Sequence, residues 1–452
     1  MKIIVAGCGK IGTTLVECLV SEGHDVVIID NLSEVISTVA NIHDVMGVCG
    51  NAADTETLEE AGIDTAELFI ASTNSDELNM LSCFLAGRMG AKHTIARIRN
   101  PEYNDKSLDF MKKQLGLSMS INPELLAAKE LFRILQMPSA VKIETFAGKS
   151  FEMIEIKLPE ESELGGLSLR DLREKYKTNI LIGAVQRGDD VHIPDGNFIL
   201  NGGDRIGLIA RHSDIVKFLR SIDMMRKQAK SVIIIGGSRT AFYLADMLAS
   251  AGTSVKIIEK DPALCHELSD ILPDANIICG DGAEQEVLLE EGIRGTDAFV
   301  ALTGMDEENI LISIYAELQN VPKVISKVNR DELVPMAKKL GLDCIVSPSN
   351  FISEVLVRYA RALDNSLGSN IETLYKLMDS KIEALEFISA ADPKLNDIPL
   401  RELATKPNIL IAGIIRGRRT IVPGGNDCIQ AGDRVIILAE NQRLSDLSDI
   451  LR

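Results

Sequence analysis

The sequence predicts an α/β protein with two tandem Rossmann-like parallel-sheet domains, each followed by a small α+β domain. Three observations carry this expectation. Apolar runs alternate with helix-period segments, a glycine-rich turn joins the first strand to the first helix, and the whole pattern is written twice. A length of 452 residues also exceeds what a single hydrophobic core usually fills.

The first half reads in order as strand 2–6, helix 11–22, strand 25–29, helix 33–41, strand 45–48, helix 55–61, strand 67–71 and helix 76–89. A short strand near 93–98 and a helical stretch from Pro123 to Leu135 follow. Continuous apolar strands separated by helices imply a parallel sheet covered on both faces. From about 140 to 222 the texture changes: Phe151-Glu152-Met153-Ile154-Glu155-Ile156 alternates like a half-buried strand, and short strands flank turns at Gly188-Asp189 and Gly202-Gly203.

The second half repeats this order. Gly7 aligns with Gly236, Gly50 with Gly280, Thr73 with Thr303, Asn179 with Asn408 and Gly203-Asp204-Arg205 with Gly432-Asp433-Arg434. The expected domains are 1–138, 139–224, 230–364 and 368–452, with the polar segment Met225 to Lys230 as the joint between halves.

Composition narrows the function. Hydrophobic residues at 46% and charged residues at 25% describe an ordinary folded chain. A net charge of −18 would repel a polyphosphate backbone, which argues against nucleic acid and suits a basic protein surface. Cysteines 8, 18, 49, 83, 265, 279, 344 and 428 form no Cys-x-x-Cys pair and join no histidine cluster, so they read as reduced core residues and no metal site is assigned. The chain enters a strand at once, and no apolar run approaches the roughly 18 residues of a membrane span, so a cytoplasmic location is expected.

Gly7-Cys8-Gly9-Lys10-Ile11-Gly12 lies where a strand turns into a helix, and Asp30 closes the second strand. The first glycine allows the tight turn, the second lets backbone approach a diphosphate, and the third lets helix pack on strand. Asp30 is placed to accept hydrogen bonds from ribose hydroxyls, and its charge would repel a 2′-phosphate, which favours NAD(H) or an adenine nucleotide over NADP. Asn51 and Ala52 after the third strand, and Thr73 and Asn74 after the fourth, lie at the strand ends where open α/β sheets bind ligands; helix capping is the competing role. Arg97 and Arg99, two apart on a short strand, are expected on one side, facing either phosphate or surface carboxylates.

The second loop, Gly236-Gly237-Ser238-Arg239-Thr240-Ala241, keeps the first glycine but places Ser238 at the second position and Ala241 at the third. Ser238 adds a Cβ where the diphosphate needs close approach, although its hydroxyl and Arg239 offer phosphate contacts. Glu259 supplies the acidic ribose partner, with Asp281, Gly282, Thr303 and Lys327 at the remaining matching positions. The six histidines show no spacing that suggests a triad or metal site, and no Gly-x-x-x-x-Gly-Lys-Ser/Thr loop is present, so binding without turnover is expected and no catalytic residue is assigned.

The opening Met1 to Gly9, the loop Ala71-Ser72-Thr73-Asn74-Ser75-Asp76-Glu77, the stretch Ile95 to Tyr103 and the repeated Gly-Asp-Arg together resemble the TrkA family along the whole chain. That family comprises cytosolic regulatory subunits of Trk-type potassium transporters, built from two tandem RCK units. The resemblance implies that NAD(H), most readily in the first pocket, or ATP/ADP in either pocket, changes how the domains pack. It also implies self-association to a dimer or tetramer, with the assembly acting from the inner face of the membrane on a membrane-embedded potassium transporter subunit. By the same resemblance Gly7 to Gly12, Asp30, Asn51, Thr73, Asn74 and Arg97 line the first pocket, Gly236 to Thr240, Glu259, Asp281, Thr303 and Lys327 the second, and Lys10 or Arg239 lies near terminal phosphates. The alternatives are an NAD-dependent dehydrogenase and a nucleotide-sensing regulator of a different channel.

Overall fold

A computed structural model describes residues 1–101, 103, 105–146, 151–365, 371–378, 381–440, 442, 444 and 446–452; Glu102, in the family-like stretch, lies outside the described residues. Strands β1 (Lys2–Ala6), β2 (Asp25–Asp30), β3 (Met46–Cys49), β4 (Leu68–Ala71), β5 (His93–Arg97) and β6 (Met119–Ile121) form a parallel sheet in the order β3-β2-β1-β4-β5-β6. Helices α1 (Lys10–Ser21), α2 (Ser33–His43), α3 (Thr55–Glu60), α4 (Asp76–Met89), α5 (Asp105–Leu115) and α6 (Pro123–Gln136) accompany it.

The alternation of side chains along each strand loads both faces. Ile3, Val5, Ile28, Leu68 and Ile70 pack under Leu15 and Leu19 of α1, whereas Ile4, Ala6, Ile29, Phe69 and Ala71 face Leu58 and Cys83 on the other side. The order reverses between β1 and β4, which opens the crevice in which doubly wound sheets hold ligands.

The small domain that follows is an antiparallel sheet of β7 (Lys142–Phe146), β8 (Phe151–Lys157), β9 (Leu181–Arg187), β10 (Asp190–His192) and β11 (Arg205–Ala210), in the order β10-β9-β11-β8-β7, with α7 (Leu169–Tyr176) and α8 (His212–Ser221). Its Gly-Asp-Arg turn has a structural cause. The carboxylate of Asp204, 1% exposed, accepts two parallel bonds from Arg187 at 2.8 Å each, and Asp433 takes Arg416 in the same fork.

The second half repeats both layers. Strands β12 (Ser231–Ile235), β13 (Ser254–Glu259), β14 (Asn276–Cys279), β15 (Ala298–Ala301), β16 (Lys323–Lys327) and β17 (Ile345–Val346) form its parallel sheet in the order β14-β13-β12-β15-β16-β17. The accompanying helices are α9 (Arg239–Ser250), α10 (Pro262–Ile271), α11 (Gln285–Glu290), α12 (Asp306–Leu318), α13 (Val334–Lys339) and α14 (Pro348–Asn365). The second antiparallel sheet comprises β18 (Ile371–Leu377), β19 (Ile382–Ile388), β20 (Ile409–Arg416), β21 (Arg419–Ile421) and β22 (Arg434–Glu440).

The two units exchange their last large-domain helix. Leu131 and Leu135 of α6 pack into the second unit's core beside Leu244 and Leu248 of α9, and Leu356 and Ala360 of α14 pack beside Leu15 and Leu19 of α1. The two small sheets share a core containing Phe146, Phe151, Met153 and Ile209 from one and Leu377, Ile382, Ile436 and Leu438 from the other. The two units therefore share close-packed cores.

Candidate nucleotide-binding sites

The three glycines of the first loop differ in what surrounds them. Gly7 has φ +90°, and a Cβ there would lie 2.7 Å from the Thr73 nitrogen; a Cβ on Gly12 would lie 1.9 Å from the Gly7 carbonyl oxygen. A Cβ on Gly9 would meet no protein atom within 4 Å. Gly9 is also the N-cap of α1 and has no side chain to bond the orphan N–H groups of the first turn, so these donors and the positive end of the helix face the crevice. This cradle fits a phosphate group. Lys10 stands exposed beside it, Ile11 is half-buried, and Cys8 is buried beneath the loop with its thiol pushed up to about 12 by burial and by Asp30.

Asp30 ends β2 and reaches back to the loop: one carboxylate oxygen accepts the Cys8 N–H at 2.7 Å, the other the Leu32 N–H at 3.0 Å. At the end of β3, the Asn51 side chain accepts the Ala53 N–H at 3.0 Å, and Ala52 is buried. After β4, the Thr73 N–H and hydroxyl donate to Asn79 Oδ1 at 2.8 and 2.7 Å. The glycine loop, Asp30, Asn51, Thr73, Asn74 and Arg97 thus all sit at the carboxyl ends of adjacent parallel strands.

The expectation that Arg97 and Arg99 share one side of a strand is corrected, because β5 ends at Arg97. Arg97 turns toward Glu124 on α6, 3.5 Å away, and burial lowers its guanidinium below the usual arginine range. Arg99 instead bonds Asp76 at 3.3 Å and the Asn74 carbonyl. Both arginines therefore have carboxylate partners.

Sequence reasoning missed two organising residues. Asn79, fully buried, also donates to the Arg97 carbonyl at 2.9 Å, and Asp76 accepts the Arg99 and Asn100 N–H groups at 2.7 and 2.8 Å. Together they clamp the β4 loop to the end of β5. The repeat carried the signal: Asp76-Glu77-Leu78-Asn79 recurs as Asp306-Glu307-Glu308-Asn309, and Asn309 binds Thr303 and Lys327 in the same way at 2.9 and 3.0 Å.

In the second site Gly236 keeps φ +92°, and Glu259 accepts the Gly237 N–H at 2.6 Å and the Asp261 N–H at 2.8 Å. Ser238 differs from Gly9, since its hydroxyl caps α9 by accepting the Ala241 N–H at 3.4 Å and so occupies one donor that the first loop presents outward. Arg239 is exposed and Thr240 buried. Asp281 accepts the Ala283 N–H at 2.8 Å, and a Cβ on Gly282 would strike Ile235. Lys327 replaces Arg97; its amine donates to the Leu302 carbonyl at 3.4 Å, and burial lowers its pKa.

The two sites adjoin. Tyr243, one turn into α9, donates its hydroxyl hydrogen to the Arg99 carbonyl at 3.1 Å and accepts from Asn122 at 3.0 Å. Lys327 also senses the charges of Lys10 and Glu124 from the first unit. A cavity of about 740 Å³ lies elsewhere, between the small domains, lined by Arg211, Arg416, Arg418, Arg419 and Thr420. Among the described residues no group of three or more His, Cys, Asp or Glu could hold a metal ion, and no helix is long and apolar enough to cross a membrane.

The TrkA-N domain family matches residues 3–123 and 232–348, and the TrkA-C domain family residues 153–223 and 385–452. The chain belongs to the TrkA family. Among curated relatives, the Trk system potassium uptake protein TrkA homolog of Archaeoglobus fulgidus is 32% identical over 452 residues, covering 100% of both chains. TrkA of Haemophilus influenzae is 30% identical, covering 98% of this chain and 96% of its own, and TrkA of Vibrio alginolyticus is 29% identical, covering 100% and 99%. Among solved structures, the GsuK channel bound to NAD superposes with a TM-score of 0.64 at 16% identity, covering 97% of this chain and 77% of that one. The GsuK RCK domain does so with 0.63 at 16% identity, covering 97% and 92%. At that identity the likeness establishes the fold, and with it the tandem arrangement expected of this TrkA-family chain.

Proposed function

We propose that this chain is a regulatory subunit that binds NAD(H) or ATP/ADP and gates a membrane potassium transporter through a nucleotide-dependent change in domain packing. NAD(H) is assigned to the first pocket, on Gly7, Cys8, Gly9, Lys10, Ile11, Gly12, Asp30, Asn51, Ala52, Thr73, Asn74, Arg97 and Arg99, with ATP/ADP an alternative in either pocket. The relatives carry potassium-uptake names over their whole length, which supports the transporter as partner, and one fold neighbour is a channel bound to NAD.

The observation that carries the gating reading is the exchange of α6 and α14 between units, with Tyr243 of α9 bonded to the first pocket's Arg99 loop. A ligand shifts such a packing equilibrium by its differential affinity for two arrangements, without hydride transfer or hydrolysis. The assembly acts as a dimer or tetramer at the inner face of the membrane.

The test has two arms. NADH and ATP are titrated into the full chain and into Asp30→Ala, and potassium uptake is compared in cells with and without the chain at low potassium. Nucleotide affinities indifferent to Asp30→Ala would refute the pocket, and unchanged nucleotide-responsive uptake without the chain would refute the regulatory role.

A further inference from the structure

The second site carries a pair of thiols that neither the fold nor the family assignment accounts for. Cys279 is the last residue of β14 and pairs in parallel register with Glu259, the acidic end of β13. Cys265, on the first turns of α10, lies on the same edge, and its thiol donates to the Glu259 carbonyl at 3.2 Å. Both thiols thus lie beside Glu259, with Cys279 exposed to solvent and Cys265 buried. The first unit lacks this arrangement: its Cys49 matches Cys279, but Ile36 takes the place of Cys265. The pair is therefore present in one copy of the repeat and not the other, at the rim expected to hold the adenosine end of a nucleotide.

We propose that Cys265 and Cys279 form a reversible disulfide that makes nucleotide binding at the second site responsive to oxidants of the peroxide class. The exposed Cys279 sulfur, as thiolate, attacks a peroxide oxygen; an S–O bond forms, the O–O bond breaks, and one water leaves after proton transfer. The Cys265 sulfur then attacks the Cys279 sulfur; the S–S bond forms, the S–O bond breaks, and a second water leaves. In sum two thiols and one hydrogen peroxide give a disulfide and two waters. Burial, with a smaller effect of the nearby Cys279, pushes the Cys265 thiol up to about 11, which fits its role as the second, resolving sulfur rather than the first to react.

The consequence follows from what the disulfide would rearrange. Forming it removes the Cys265 S–H donor from the Glu259 carbonyl and ties α10 to β14 across the residue that bonds the Gly237 N–H at 2.6 Å. This regulation rests on the nucleotide reading of the second site, whereas formation of the bond does not.

The experiment uses the full chain carrying Asp30→Ala, so that the second site dominates binding. The chain is reduced, treated with graded hydrogen peroxide, alkylated, and digested with trypsin, which releases both thiols in one peptide spanning 261–294. The expected product is that peptide lacking two hydrogens and both alkyl groups, reversed by dithiothreitol and absent in Cys279→Ser. Affinity for NADH or ATP shifts at least about fivefold on oxidation, the lower range of ordinary site coupling, and does not shift in Cys279→Ser or Cys265→Ser. Full alkylation after oxidation, or Cys279 gaining oxygens without linkage, overturns the disulfide. Linkage with unchanged affinity overturns the regulation. A reduced chain that binds no nucleotide at this site overturns the underlying reading and the regulation with it, and the peptide map still decides the bond.

Discussion

The Asp30 carboxylate holds the backbone N–H of Cys8 at 2.7 Å, joining the end of β2 to the glycine loop across 22 residues. Glu259 and Gly237 repeat the bond at 2.6 Å. The group proposed to meet the ribose thus also fixes the loop proposed to meet the diphosphate. Replacing Asp30 by Ala removes a charge-assisted bond of about 1.5–3 kcal/mol. NADH affinity is expected to fall between about tenfold and a hundredfold, and the preference for NADH over NADPH to narrow because no charge opposes a 2′-phosphate. Calorimetric titration with both cofactors checks this; an unchanged preference would count against the ribose role.

Gly9 and Gly12 are expected to separate binding from stability. Gly12→Ala forces a Cβ to 1.9 Å from the Gly7 carbonyl oxygen, an overpacking that costs about 1–3 kcal/mol. Gly9→Ala meets no protein atom, so thermal unfolding is expected to stay near wild type while nucleotide affinity drops. Melting curves with and without nucleotide distinguish the two, and equal destabilisation by both would be inconsistent with this account of the loop.

Ser238 tests why the second loop departs from the first. Ser238→Gly frees the Ala241 N–H and removes the Cβ, at a capping cost of only a few tenths of a kcal/mol. In an Asp30→Ala background, dinucleotide affinity at the second site is expected to rise. If it falls, the Ser238 hydroxyl is a ligand contact rather than a cap.

The parallel sheets were legible because their strands are continuous apolar runs and the repeat confirmed each element. β6 was missed since Met119-Ser120-Ile121 offers only three residues to a pattern search. The glycine loop was legible as a strand-to-helix turn, but the clamps were not: Asn79 and Asp76 look like ordinary helix-start residues until β5 is seen to end beside them. The exchange of α6 and α14 was invisible for a different reason, because an amphipathic helix states that it needs a partner and not which unit supplies it.

The crossing of the exchanged helices predicts a pH dependence. Glu130 on α6 faces Arg133 at 3.2 Å, and the neighbouring Lys142 reaches Glu144 at 3.0 Å and Glu354 of α14 at 3.6 Å. Burial raises the Glu130 carboxyl from 4.5 to about 7; Arg133 opposes the shift and Glu144 adds to it. A folded-state pKa above the unfolded value means that the native chain binds the extra proton between these limits. The stability it gives is complete below about pH 4.5 and is lost as pH rises through 7, by up to roughly 3 kcal/mol. Glu130→Gln keeps the neutral shape, so its stability is expected to decline less than wild type between pH 5 and pH 8. Denaturant unfolding of both proteins across that range measures the difference, and parallel curves would show that Glu130 ionises without strain at the crossing.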